Sequence, residues 1–104
     1  MGGHLVAGHV DGVAAVVARE DLIEAARIAL RAPAGLARFI APKGSVALDV
    51  ISFTINAVEG DAFSVLVIPH TLQVTTFGGL RKDDDVNLEI DTVARYAARL
   101  AEMK

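Results

Sequence analysis

The sequence predicts an all-β domain, a barrel or a sandwich, with one helix attached at its C-terminal end. Three observations carry that prediction. About six short apolar runs are separated by Gly, Pro and Asp turn signals every 8 to 12 residues or so. The 104 residues are 53% hydrophobic and include no cysteine, so a single core has to stand without disulfides or Cys-ligated zinc. The final stretch, TVARYAARLAEMK, repeats its apolar residues at helical spacing.

Taken in order, residues 5–18 (LVAGHVDGVAAVVA) are rich in β-branched side chains and broken by Gly8 and Gly12, the pattern of a strand that bends at a barrel corner. Asp21 to Leu30 has helical residue types. Arg27, Ala29 and Arg31 nevertheless alternate with Ile28, Leu30 and Ala32, which favours a strand over Ala26 to Arg31. Pro33 suits the start of a short helix through Ile40, and Pro42-Lys43-Gly44 ends it. The runs SVALDV and ISFTINAV follow. In the second, Ser52, Thr54 and Asn56 share one parity and Ile51, Phe53 and Ile55 the other, which makes a two-faced strand. Glu59-Gly60-Asp61 is a hairpin turn, and Phe63 to Ile68 is apolar enough to predict burial on both sides. Pro69 closes that strand, His70 to Val74 has room for one helical turn, and Gly78-Gly79 is a breaker. Val86, Leu88 and Ile90 mark a last strand. Asp91 or Thr92 caps the final helix, whose stripe is Val93, Tyr96, Ala97, Leu100 and Met103.

Composition excludes several function classes. Ten basic against 13 acidic residues give a net charge of −3, which offers no footprint for a phosphate backbone, and the absent Trp and single Tyr leave few stacking platforms. Nucleic acid is therefore not an expected partner. No apolar run approaches the ~20 residues needed to cross a bilayer, and the start MGGHLVAGHVDG has neither the basic nor the apolar part of a signal peptide. The expected compartment is the cytoplasm, without membrane contact.

Short motifs fare no better. Gly3 to Gly8 mimics half of a phosphate-binding loop, but His9-Val10 stands where Lys and Ser/Thr belong. His4, His9 and His70 have no metal-ligand spacing, so no metal is expected. Ser52, His70 and Asp91 lack the strained elbow that exposes a hydrolytic serine. Asp83-Asp84-Asp85 reads as a solvated turn, lacking the spaced ligands of a calcium loop. The stripe on the final helix fits packing on its own barrel and self-association equally well.

Four segments, GGHLVAGHVDG, KGSVALDVISFTINAV, FSVLVIPHTLQVTTFGGL and DVNLEIDTVARYAARL, occur in an order and spacing that closely resembles the C-terminal barrel of the riboflavin synthase α-chain family. The resemblance implies a six-stranded Greek-key closed barrel over residues 1–91, with short helices; the C-terminal helix over 92–104 stands apart from it, and its apolar stripe makes it an oligomerisation element as readily as one packed on the barrel. The resemblance also implies a shallow groove for 6,7-dimethyl-8-ribityllumazine or riboflavin and no metal or organic cofactor. In that family two tandem barrels bring two lumazines together, and one gives a four-carbon unit to the other. The gain comes from proximity and orientation, with acid and base assistance.

Matched residue by residue, the resemblance places Ile68 and Thr71 at the corner that reads the pyrimidinedione edge. It puts Ser52 and Thr54 on the neighbouring strand, with Val50 beside the ligand groove. Catalytic assistance falls to His9, Asp91 and Ser52, although Asp91 equally suits a helix N-cap and His9 a hydrogen bond between strands. Two departures stand out. The family's N-terminal barrel has no counterpart here, so the chain reads as an isolated half that pairs with an N-terminal-type barrel or a second copy of itself. Val50 stands where the family usually has Gly after Asp. Three readings follow: a riboflavin synthase-type barrel whose catalysis needs a second barrel, a non-catalytic lumazine- or flavin-binding module, and a barrel that keeps only the fold and self-associates.

Overall fold

The computed structural model describes residues 10–49, 51–68, 71 and 76–102. The alternating runs become six strands: β1 (Gly12–Leu22), β2 (Ala25–Arg31), β3 (Ser45–Leu48), β4 (Ile51–Glu59), β5 (Ala62–Val67) and β6 (Asp85–Ile90). They close in the order β1-β2-β5-β4-β3-β6, each neighbouring pair antiparallel. Hairpins join β3, β4 and β5, while β2 returns beside β5 and β6 beside β3, so two Greek keys share the three central strands. The choice between barrel and sandwich thus falls to the barrel.

Both central hairpins have two-residue loops. Leu48 pairs with Ile51, leaving Asp49 and Val50, and Glu59 pairs with Ala62, leaving Gly60 and Asp61. Gly60 takes φ 62° and Asp49 φ 48°. Asp49 tolerates this left-handed geometry because two bonds hold it: its N–H donates to the Asn87 carbonyl at 2.9 Å, and its Oδ1 accepts from the Asn87 N–H at 2.8 Å.

Alternation fills the interior. Phe53 and Ile55 point inward from β4, Phe63, Val65 and Val67 from β5, and Val86, Leu88 and Ile90 from β6. Phe77, from the 3₁₀ turn Thr76–Gly79, meets Phe53 edge-on with ring centroids 5.1 Å apart.

Several expectations need correction. β5 is buried on one side only: Leu66 is 43% exposed and Ser64 half-buried, because a single closed sheet has one interior. β1 begins at Gly12 and runs to Leu22, further than expected, and its irregularity lies at the register shift between Val16 and Ala18. A Cβ at Gly12 would sit 2.8 Å from Leu36 Cδ1, the movable end of that side chain, and 3.3 Å from Pro33 Cγ. Residues 5–9, including Gly8, lie outside the described residues. The short helix after Pro33 reduces to a turn and one 3₁₀ segment, Ala37–Phe39.

The last described helix, α1 (Thr92–Glu102), spans the expected stretch. It docks through Ala94 against the core, through an Arg95–Asp11 ion pair and through Arg38–Glu102. The Phe39 ring lies 4.6 Å from the Arg38 guanidinium and 5.3 Å from that of Arg95. Val93, Tyr96 and Leu100 are exposed instead of packing on their own barrel: the arginine-bearing face makes the contact, which turns the apolar stripe away. Among the described residues no helix is long and apolar enough to cross a membrane.

Candidate functional site

Strand β4 changes partners along its length. From Ile55 to Glu59 it is laddered to β5, and from Ile51 to Thr54 to β3. The end of β5, Leu66 and Val67, pairs on its other side with Arg27 and Ala26 of β2. Among the described residues no ladder pair joins Ile51–Thr54 to Leu66–Ile68. A register shift between Ile55 and Ala57 lies beside the point where the two strands part.

Bonds on either side fix which backbone groups line this gap. Ile55 N–H donates to the Gly44 carbonyl at 2.8 Å, and Ile55 C=O accepts from the Lys43 N–H at 2.9 Å. Ile55 therefore addresses β3, and with period two so do Phe53 and Ile51. Ser52 and Thr54 turn their N–H and C=O groups the other way, toward β5. Ala32 N–H donates to the Asp61 carbonyl at 2.8 Å, in register with Arg31↔Ala62, so Phe63, Val65 and Val67 address β2. Leu66 and Ile68 then address β4. Continued by three residues, the Ile55↔Val65 register brings Ile68 level with Ser52. Among the described residues the gap is a seam edged by backbone donors and acceptors from Ser52, Thr54, Leu66 and Ile68. A planar heterocycle with adjacent N–H and C=O groups satisfies such an edge as a strand would.

A second feature adjoins it on the outer face. Ser45, Ala47, Ser52, Glu89, Asp91 and Thr92 line a cleft of ≈ 190 Å³. Ala47 pairs with Ser52 on one side and Glu89 on the other, so a methyl group floors a row walled by oxygen-bearing side chains. Ser52 joins the two features, its backbone facing the seam and its side chain the cleft. Thr54, opposite Ser45, is exposed on the same face. Ile68 is half-buried. Thr71 is 5% exposed and is the one polar residue in the buried set among the described residues.

The Asp91 carbonyl accepts from the Arg95 N–H at 3.2 Å, so the start of α1 fixes the position of this residue whatever its carboxylate does. The structure thus brings Ser52 and Asp91 into one cleft and aligns Ser52, Thr54 and Ile68 along one seam. His9 and Val50 lie outside the described residues. Sequence reasoning missed Glu89 and Ser45. The outward parity of Glu89 between Leu88 and Ile90 was visible, but its row with Ser52 depends on β3–β6 and β3–β4 register, which no local pattern displays.

Known proteins resemble the chain in sequence and in fold. Residues 7–91 match the model of the family described as Lumazine binding domain. Over 102 residues the chain is 60% identical to a riboflavin synthase of Brucella abortus (strain 2308), which covers 98% of this chain and 50% of that protein. A riboflavin synthase of Photobacterium phosphoreum is 41% identical over 99 residues, 95% of this chain and 45% of that one. The chain spans about half the length of the curated relatives it matches. LumP complexed with 6,7-dimethyl-8-(1'-D-ribityl) lumazine has the same barrel fold, with a TM-score of 0.80 at 22% identity over 84% of this chain and 49% of that one. With a family match running from residue 7 to Asp91, where the barrel hands over to α1, and 60% identity over nearly its whole length, the chain belongs to the lumazine binding domain family.

Proposed function

We propose that the open seam between β4 and the end of β5 binds the pyrimidinedione edge of 6,7-dimethyl-8-ribityllumazine or riboflavin, one ligand per barrel. The observation that supports this reading is the interrupted β4–β5 ladder: among the described residues it ends at Ile55↔Val65, so the β5-facing groups of Ser52 and Thr54 and the β4-facing groups of Leu66 and Ile68 have no pair across it, and family membership supports the ligand class. Ile68 and Thr71 form the corner, Ser52 and Thr54 the facing strand, and Val50 flanks the groove. LumP has been crystallised with lumazine and with riboflavin, which supports the same ligand chemistry here. The chain works in the cytoplasm, with a small-molecule ligand and without nucleic acid.

The reaction we assign is dismutation of two lumazines, in which one transfers a four-carbon unit to the other to give riboflavin and a ribitylamino-pyrimidine. Ser52, Asp91 and His9 supply proton transfer and polar contacts. The shared cleft of Ser52 and Asp91 supports the first two roles. One barrel holds one reactant, so the stacked pair requires an N-terminal-type barrel or a second copy, and turnover by the single chain is expected to be very slow or nil.

Fluorescence titration with lumazine and riboflavin, with product followed by absorbance, tests both parts. Saturable binding at one site per chain is expected, and Thr71→Ala should weaken it about tenfold through loss of a buried hydroxyl contact. Equal affinity in the mutant removes Thr71 from the pocket, and failure of both ligands to bind retires the seam reading. Turnover at micromolar chain would mean that copies of this barrel rebuild the two-ligand site themselves.

A further inference from the structure

Arg19, in the second half of β1, is only 17% exposed although it is charged. Its Nη1 donates toward three carbonyls, those of Phe77 at 2.9 Å, Gly78 at 3.1 Å and Leu80 at 2.8 Å. Its Nε donates to Asp21 Oδ1 at 3.0 Å. One guanidinium thus gathers two carbonyls of the 3₁₀ turn and that of Leu80 just after it, from a strand about 60 residues earlier in the chain. That turn carries Phe77, whose ring is 1% exposed and meets the Phe53 ring edge-on. Phe53 stands between Ser52 and Thr54 on β4 and points inward where they point outward.

We propose that Arg19 is a positioning residue for the ligand seam. The guanidinium holds the turn, the turn holds Phe77, and Phe77 packs against the segment of β4 whose backbone edges the gap. A packed aromatic pair resists sliding, so the clamp sets how far Ser52 and Thr54 stand from the end of β5. Arginine suits this task because its planar fork offers several fixed donors, whereas a lysine ammonium is a strongly hydrated point charge on a flexible stem. The proposal rests on the reading of the seam as the ligand site, and its test separates the two.

The experiment compares the parent chain with Arg19→Lys and Phe77→Leu, and uses Arg31→Gln as a control because Arg31 pairs with Asp61 at the exposed hairpin end. Amide spectra of the ligand-free proteins are expected to change at Ser52 and Thr54 as well as at residues 77–80 in both test variants, but not in the control. Riboflavin affinity should fall at least tenfold in both while each still melts cooperatively. Amide changes confined to residues 77–80, or affinity within twofold of the parent, overturn the role of Arg19. Phe77→Leu keeps the reading testable if Arg19→Lys does not fold. A parent that binds no riboflavin defeats the reading of the seam as the ligand site, whereas the amide spectra still decide whether the clamp reaches β4.

Discussion

Asp49 and Gly60 occupy equivalent places in the two central hairpins, each the first of two loop residues and each at positive φ. Gly60 reaches that geometry without a side chain to clash. Ala there should lower stability by about 1–2 kcal/mol, read as an earlier denaturation midpoint with riboflavin affinity unchanged; an unmoved midpoint would show that the turn relaxes freely. Glu59-Gly60-Asp61 was legible as a turn because glycine is local turn chemistry. The left-handed Asp49 was not, because it depends on the pair of bonds to Asn87, 38 residues away. Val50, next to Asp49 in the sequence, lies outside the described residues. Two-residue hairpin loops favour glycine at such positions, so Val50→Gly should tighten lumazine binding by opening the groove. It should leave ligand-free stability unchanged or slightly lower through a more flexible unfolded chain. If neither melting temperature nor affinity moves, the substitution of Val for Gly has no consequence for the groove.

The strands and α1 show where local pattern stops being informative. The span of α1 followed from its periodicity and from Asp91-Thr92 at its start, but the docking face did not. Apolar side chains usually face a core, whereas here Arg95 and Ala94 make the contact and Val93, Tyr96 and Leu100 stay exposed. Asp11 is the anchor. Its Oδ2 accepts from the Ile90 N–H at 2.8 Å, its Oδ1 pairs with Arg95, and the side chain is 7% exposed. Asp11→Asn keeps an acceptor and loses the charge, so about 1 kcal/mol is expected, against about 2–3 for Asp11→Ala, which also strands a backbone N–H. Equal losses in the two variants would mean that the charge carries the whole effect. The exposed stripe makes α1 the proposed oligomerisation element. Concentration-dependent association that Leu100→Lys reverses is expected in sedimentation, and a parent monomeric at all concentrations refutes it.

For the whole molecule, strand positions were readable because β-branched alternation and turn residues are local. Barrel against sandwich was not, since that depends on which distant strands pair, and only the resemblance to a known family pointed to closure. The site divided in the same way. Ser52 and Thr54 were visible as the polar parity of one strand, while the gap beside them arises where the β4–β5 ladder stops after the Ile55↔Val65 pair. Closure itself has a kinetic consequence. The rungs that complete the circle include Gly12 with Leu88, so β1 waits for β6 before it has both neighbours. Until then the nascent chain exposes β1 and β3 as open edges, and chains stopped before Asp85 should self-pair along them and precipitate. Refolding of the full chain has to close that long loop before its contacts stabilise anything, which puts it in the range of milliseconds to seconds. Stopped-flow refolding complete in microseconds would show that the circle closes by some more local route.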